Sequence, residues 1–359
     1  MKVKIIHLLY RATIGGTERT VFNLIREQLM NNYEVICVIL QDGGGFVEKY
    51  KSLLQENLIA LNINTFSGVF GLYKLLKTYD QNWIIHNHVR NLKLGLILKL
   101  VTNKKVLTEH ILTNQFKEVN PSVYKKLKLF YFLYEKDYTY ITSVSTAVKN
   151  SLVNNFGIDI EKVKVIFNGI ESCQSSIADY NGSFTIGNAT HFEKIKNIDL
   201  FIAIAERLIE KDKNFKFLLI GDGTHKSRIK NNIQSKKLNK NIILLEPQEN
   251  LTQFFEQLNL GLITSFSETF SLFAAECLTR GIPVVASAVG GLKEVVEDSN
   301  CGYLVNIFDK QDFIEKILKL KNDKNLYRNF SHNARQRAEK FSIENIFYDY
   351  HTLYQQILN

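Results

Sequence analysis

Two glutamates with seven residues between them, Glu268 and Glu276, bound the chemically richest stretch of the chain, SETFSLFAAE at 267–276. A carboxylate accepts two hydroxyl hydrogen bonds at once, which suits a vicinal diol on a ribose or a hexose. A strand-like run at 260–263 leads in, and a helical pattern at 271–280 leads out. Glu268 then falls just before a helix start. There the N–H groups of Phe270, Ser271 and Leu272 face an incoming ligand, and the helix dipole favours an anion. Glu276 falls more than one turn into the helix. Taken singly, Glu268 is better read as a helix cap and Glu276 as a solvated carboxylate.

Other stretches follow strand-like runs in the same way. GNATHFEKIK at 187–196 places His191 five residues before Lys196. A lysine there can meet a diphosphate as a point charge, although considered alone a solvated lysine is the better reading. Gly15 and Gly16 run into Thr17-Glu18 and a helix, which offers close backbone approach and an anion site. A plain glycine turn capped by Thr17 is the alternative. The dinucleotide fingerprint G-x-G-x-x-G is absent, which argues against a Rossmann dehydrogenase. Gly221-Asp222-Gly223 closes another strand as a tight turn or as part of a site. No Asp-x-Asp stands at a strand end, and Asp159-Ile160-Glu161 reads as a turn. No metal and no cofactor are therefore expected. Cys37, Cys173, Cys277 and Cys301 lack CxxC spacing and read as reduced thiols.

The elements that must hold these residues alternate between short apolar strands and amphipathic helices, the signature of a parallel sheet covered on both faces. Strands are expected at 3–9, 34–40, 83–86, 105–108, 140–144 and 163–166. The rhythm breaks at SCQSSIADYNGS (172–183) and restarts at 184–189, 215–220, 242–245, 260–263, 284–286 and 303–305. A length of 359 residues exceeds what one core usually holds. Two tandem Rossmann-like, doubly wound α/β domains facing a cleft are expected. Their bounds are 1–172, a linker at 173–183, and 184–341, with a last helix at 342–359 returning to the first domain. Ligands of such sheets bind outside the carboxyl ends of the strands, here toward that cleft.

In order along the chain, these pieces resemble the family-4 (group 1) glycosyltransferases of GT-B fold. The matching segments are IGGTE (14–18), TEH (108–110), SVS (143–145), FNGIE (167–171), IGDG (220–223), ETFSLFAAE (268–276), RGIPVVAS (280–287) and VGGLKEVV (289–296). The resemblance implies a retaining transfer of sugar from a UDP- or GDP-linked donor to an acceptor hydroxyl. It implies that Glu276 holds the donor ribose and Glu268 lies beside the transferred sugar. Backbone amides of Phe270, Ser271 and Leu272 would face sugar and diphosphate, with Lys196, Gly15, Gly16 and the Gly221 turn around them. His110 would stand at the reacting face. His191 occupies a position where the family has an arginine, and it lacks the bidentate fork. Ser271 replaces a glycine, and Pro247 brings no N–H to a stretch near the base.

The acceptor side is less specific. Net charge is +9, and residues 1–172 carry 22 Lys and Arg against 14 Asp and Glu, so the excess lies in the first half. Residues 120–138 interleave lysines with Tyr and Phe, a pattern for an anionic membrane surface or for a core helix with a solvated lysine face. A lipid-linked or growing-glycan acceptor is expected, in surface polysaccharide or glycolipid assembly. No nucleic-acid partner is expected, because no RNA-binding motif is present. With no signal-peptide pattern and no apolar run near the ~20 residues of a membrane span, the expected location is cytoplasmic, peripheral on the inner face of the membrane. The rival readings are a nucleotide-sugar epimerase on the same fold and a non-catalytic sugar-nucleotide binder.

Overall fold

Near-continuous Val, Ile and Leu runs force each strand into a sheet interior, because such a run has no side to give to water. The computed structural model, which describes residues 2–13, 15–41, 43–79, 81–110, 112, 120–173, 183–296 and 300–359, contains two such sheets. The chain divides into two units, Met1–Ile170 with Ile343–Asn359, and Glu171–Ser342. Most of the expected linker, 174–182, lies outside the described residues.

The first unit holds a seven-stranded parallel sheet. Its strands are β1 (Lys4–Leu9), β2 (Glu34–Ile39), β3 (Leu58–Ala60), β4 (Trp83–Asn87), β5 (Lys105–Glu109), β6 (Tyr140–Ser143) and β7 (Val163–Val165). Spatial order is β3-β2-β1-β4-β5-β6-β7. The helices between them are α1 (Gly16–Met30), α2 (Val47–Leu54), α3 (Phe66–Thr78), α4 (Leu92–Lys99), α5 (Pro121–Tyr134) and α6 (Thr146–Phe156). Side-chain caps start several of them. Thr65 accepts from Gly68 N, Asn91 from Lys93 N and Leu94 N, and Ser145 from Val148 N.

The second unit holds β8 (Phe184–Ala189), β9 (Phe215–Ile220), β10 (Ile242–Leu245), β11 (Leu260–Ile263), β12 (Val284–Ser287) and β13 (Gly302–Val305), in the order β10-β9-β8-β11-β12-β13. Its helices are α7 (Ile198–Lys211), α8 (Lys226–Ser235), α9 (Thr252–Glu256), α10 (Leu272–Thr279), α11 (Leu292–Val296), α12 (Lys310–Asn322) and α13 (Lys324–Glu339). The final helix, α14 (Ile343–Leu358), belongs to the first unit. Its Ile346, Phe347, Tyr350, Leu353, Tyr354 and Ile357 join the core of β1, β2 and α1. Among the described residues, no helix is long and apolar enough to cross a membrane.

The expected α/β architecture is therefore the observed one. β3, α2 and α3 are not among the elements expected from the sequence. β3 is a three-residue edge strand, too short to show a period, and α3 opens on Phe-Ser-Gly-Val-Phe-Gly, where two glycines blur the helical signal.

The attachment of α14 is polar as well as apolar. Tyr354 Oη lies 2.7 Å from His86 Nδ1 in β4, and Gln28 Nε2 of α1 donates to the same phenol at 3.5 Å. Tyr354→Phe keeps the ring and strands the buried imidazole. The expected loss is about 1–3 kcal/mol, read as a lower urea midpoint at unchanged m-value. An unaltered midpoint would show that this hydrogen bond holds nothing.

Candidate functional site

In the second sheet the strand order reverses between β8 and β11, so the loops that follow them leave in opposite directions and open a crevice at the carboxyl ends. The backbone stitches these two loops at their bases. Phe266 N donates to Ile195 O at 2.8 Å, and Thr264 Oγ1 donates to Asn197 O at 3.0 Å. Above that stitch, Lys196 Nζ meets Glu268 Oε1 at 2.8 Å. Glu268 is 8% exposed. Its Oε1 also accepts from Ser265 Oγ at 2.7 Å, and its backbone O accepts from Gly291 N at 2.9 Å. Ser287 Oγ at the end of β12 donates to Ser265 O at 2.6 Å. A pair this buried keeps its geometry only when further hydrogen bonds satisfy the carboxylate, and the serines and Gly291 anchor it. Gly291 has no room for a side chain, since a Cβ there would run into Thr269 O.

The helix start differs in detail from the sequence expectation. α10 begins at Leu272, and Ser271 is its N-cap, with its hydroxyl accepting from Ala274 N at 3.4 Å. The amides of Leu272 and Phe273, four and five residues after Glu268, are left with no intrahelical acceptor. Phe270 precedes the cap, and its ring is core, packed edge-to-face on Phe341 at 5.2 Å. Ser271 takes φ 80 and ψ 87, a left-handed backbone that favours glycine. Glu276 is half-buried one turn along α10, and its backbone O accepts from Arg280 Nη1 at 3.0 Å.

His191 and Lys194 are exposed on the loop after β8. Gly221 lies under that loop, where a Cβ would strike Thr190 O, so its smallness serves packing. Lys196, Glu268 and the α10 start thus come together, with Glu276 further along the same helix. Gly15, Gly16 and His110 belong to the other unit. There Gly15 is the N-cap of α1 and Gly16 its first residue, while Ile14 lies outside the described residues.

In the first unit the strand order reverses between β1 and β4, and the ends of these strands carry a histidine cluster that the sequence reading overlooks. His7 pairs in register with His86, and His88 follows two residues on. His7 Nε2 donates to Gln28 Oε1 at 2.9 Å, so its Nδ1 accepts the 3.1 Å bond from His88 Nε2. His86 Nδ1 accepts from Tyr354, so its Nε2 donates to Thr108 Oγ1. This assignment makes all three imidazoles neutral. Burial lowers the His7 pKa to about 4, against the opposing pull of Gln28, and pushes His86 and His88 well below the usual histidine range. His110, after β5, is lowered to about 3 by burial and then by Arg90. Among the described residues, His88 Nδ1 and His110 Nε2 have no hydrogen-bond partner, and both residues line one small cavity with Thr20, Asn168 and Tyr350. Arg90 Nη1 bonds Glu109 Oε1 at 2.6 Å, and Tyr131 Oη donates to Glu109 Oε2. Donor atoms of His7, His86 and His88 lie within 4.8 Å of one another, close enough for a metal ion, but the hydrogen bonds above already engage five of their six nitrogens. The pair of histidines at i and i+2 in 86–88 was the available sequence signal, because such residues share one face of a strand.

Two family descriptions match the chain: Glycosyltransferase Family 4 over residues 14–172 and Glycosyl transferases group 1 over residues 174–337. The N-acetyl-alpha-D-glucosaminyl L-malate synthase of Bacillus anthracis is 30% identical over 171 residues, 47% of this chain and 44% of that one. The match thus spans less than half of that relative. An N-acetyl-D-galactosaminyltransferase of Campylobacter jejuni, named for a PP-undecaprenol-linked glycan, is 24% identical over 378 residues and 99% of each chain. The fold matches Anabaena HepE in complex with UDP and glucose, with a TM-score of 0.83, 18% identity, and coverage of 98% of this chain and 99% of that one.

Two outcomes follow from this geometry. Ser271→Gly relieves a strained backbone and is expected to leave stability equal or raised, whereas Ser271→Val adds β-branching at positive φ and costs about 1–3 kcal/mol. Equal melting temperatures for the two variants would refute the strain. The histidines set a pH dependence. Unfolded, each takes a proton near pH 6.5, while folded His7 resists until about 4 and His110 until about 3. The unfolded chain therefore binds more protons in that window. Stability is complete above pH 6.5 and falls as pH drops toward 4, by up to about 1.4 kcal/mol per pH unit for each histidine. Urea unfolding across that range checks it, and a flat profile contradicts it.

Proposed function

This chain belongs to the family 4, group 1 glycosyltransferases, and from that premise we propose that it moves a sugar from a UDP-linked donor to a hydroxyl of a lipid-linked or growing glycan, with retention at the anomeric carbon. The observation that carries the donor half is the Lys196–Glu268 pair beside the α10 start, at the β8/β11 reversal. In the reaction the bond from anomeric carbon to diphosphate oxygen breaks, and the nucleoside diphosphate leaves with the electron pair. The acceptor oxygen forms the new bond and gives up its proton.

Each residue has a role in this reading. Lys196 and the amides of Leu272 and Phe273 meet the charge that grows on the leaving diphosphate, an arrangement that needs no reorganisation at the moment of reaction. Glu268 holds Lys196 in place and faces the sugar. Glu276 takes the ribose hydroxyls. The exposed His191 and Lys194 stand where the diphosphate would pass, in place of the single arginine of the family. Gly15, Gly16 and His110 belong to the first unit, where burial holds His110 neutral. No metal takes part, so turnover is expected to survive chelation of divalent ions. UDP is preferred because the solved neighbour of the same fold binds UDP and glucose. The lipid-linked acceptor, and a peripheral position on the cytoplasmic face of a membrane through 120–138, rest on the Campylobacter jejuni relative and on the basic charge of the first unit.

The test is a panel of nucleotide sugars with nucleotide release followed with and without lipid extract. Release that depends on acceptor supports the proposal, and tight binding with no turnover on any donor removes it. Glu276→Ala is expected to raise KM for the donor with little loss of kcat. Glu268→Gln is expected to lower kcat on the order of a hundredfold with a smaller change in KM. Wild-type kinetics in both variants would leave the site unassigned.

A further inference from the structure

The layout of charge in the first unit points to a docking face wider than the 120–138 stretch. The strand order fixes which helices share a layer. α1 and α2 connect strands running outward toward β3, while α3, α4, α5 and α6 connect strands running the other way, from β3 through β4 to β7. Right-handed crossovers place helices of opposite progression on opposite faces of the sheet. The structure agrees: α3 packs on α4, α4 on α5 and α5 on α6, whereas α1 packs on α14.

The two layers differ in composition. α3 to α6 contain eight lysines and no Asp, Glu or Arg. α1, α2 and α14 contain four basic and five acidic residues. Seven of the eight lysines, Lys149 excepted, are exposed. They do not stand alone on the surface. Phe66 is 86% exposed and Phe132 84%, with Phe70, Leu96, Leu129 and Leu133 also exposed. Their spacing forms stripes along the outward side of each helix. Phe66, Phe70, Lys74 and Lys77 follow one another at helical intervals on α3, as do Lys93, Leu96 and Lys99 on α4, and Lys125, Leu129 and Phe132 on α5. The inward sides hold Leu72 and Leu76, Leu94 and Leu98, and Leu127, Phe130, Tyr131 and Tyr134, all buried. The core therefore consumes a different set of apolar residues, and folding gives no reason for the exposed ones.

We propose that the α3–α4–α5 face binds an anionic lipid bilayer, with Phe66 and Phe132 entering the headgroup boundary and the lysines drawing the layer to the lipid charge. An uncharged partner protein would not select the seven exposed cations of these helices without one carboxylate. A polyanion free in solution would not select exposed phenylalanines. A bilayer of anionic lipid offers both complements at one surface. The inference deepens the transferase reading, since a face of this kind brings the enzyme to a lipid-linked acceptor, and it extends the contact beyond 120–138 to α3 and α4.

The test uses the full chain and vesicles that carry neither donor nor acceptor: phosphatidylcholine alone, and phosphatidylcholine mixed with phosphatidylglycerol. Co-sedimentation is expected with the mixed vesicles only, weakening as salt rises. Lys125→Glu with Lys126→Glu and Lys128→Glu should abolish it. Phe66→Ser with Phe132→Ser should weaken it by roughly tenfold or more and remove what survives at high salt. Lys49→Glu with Lys51→Glu, on α2 in the opposite layer, should change it little. Circular dichroism and melting confirm that each variant is folded. Equal binding to both vesicle types, equal loss from the α2 variant, heparin binding with no vesicle binding, or a dimer in solution that Phe132→Ser dissolves would each overturn the proposal. Turnover on a soluble acceptor separates the two readings. If it persists while vesicle binding is absent, the docking face falls and the transferase stands. If vesicles bind but no donor is turned over, the reverse holds.

Discussion

Everything at the candidate donor site depends on the reversal of strand order between β8 and β11. Adjacent parallel strands whose connections leave in opposite directions cannot cover their own carboxyl ends. The backbone groups there must find partners or face solvent. Two cross-loop hydrogen bonds, Phe266 N to Ile195 O and Thr264 Oγ1 to Asn197 O, close the base of the gap. Above them a lysine and a glutamate far apart in sequence stand 2.8 Å from each other. The helix start adds positive potential to the same place, and Ser271 accepts a strained backbone there.

The first unit applies the same constraint with different side chains. At its own reversal, between β1 and β4, the interior is polar. Three buried imidazoles, a glutamine, two threonines and two tyrosines form a chain in which donors and acceptors alternate. Such a network is stable only while every histidine stays neutral, since the interior holds Arg90 nearby and burial opposes any new charge. The final helix supplies Tyr350 and Tyr354 to this network. The return of α14 to the first unit therefore completes the polar interior as well as covering an apolar face.

Helix layers follow from connectivity in the same way. Once the strand order is set, right-handed crossing assigns α3 to α6 to one face and α1 and α2 to the other. Charge that looks only like an excess in the first half of the sequence then becomes a difference between two surfaces. The helix of 120–138 shows how both readings of a basic aromatic stretch hold together. Phe130, Tyr131 and Tyr134 of α5 are core, while Phe132 and its lysines face outward.

The sequence by itself determined the alternation of strands and helices, the two-unit division, and the segments that end strands with chemistry. These are local properties: an apolar run must be buried on both sides, and a glycine-rich or polar stretch after it must turn. It showed Glu268 and Glu276 as a pair of carboxylates around a helix start for the same reason. Only the tertiary structure decided that Lys196 touches Glu268 across a sequence separation of 72. It alone decided that Phe270 is core, that Ser271 sits at positive φ, and that Gly221 is small because Thr190 lies on it. His7, His86 and His88 were legible only as scattered histidines until the β1–β4 register placed them side by side. Contacts of this kind depend on strand order and register, which no local pattern encodes, because they follow from how all the strands compete for neighbours at once.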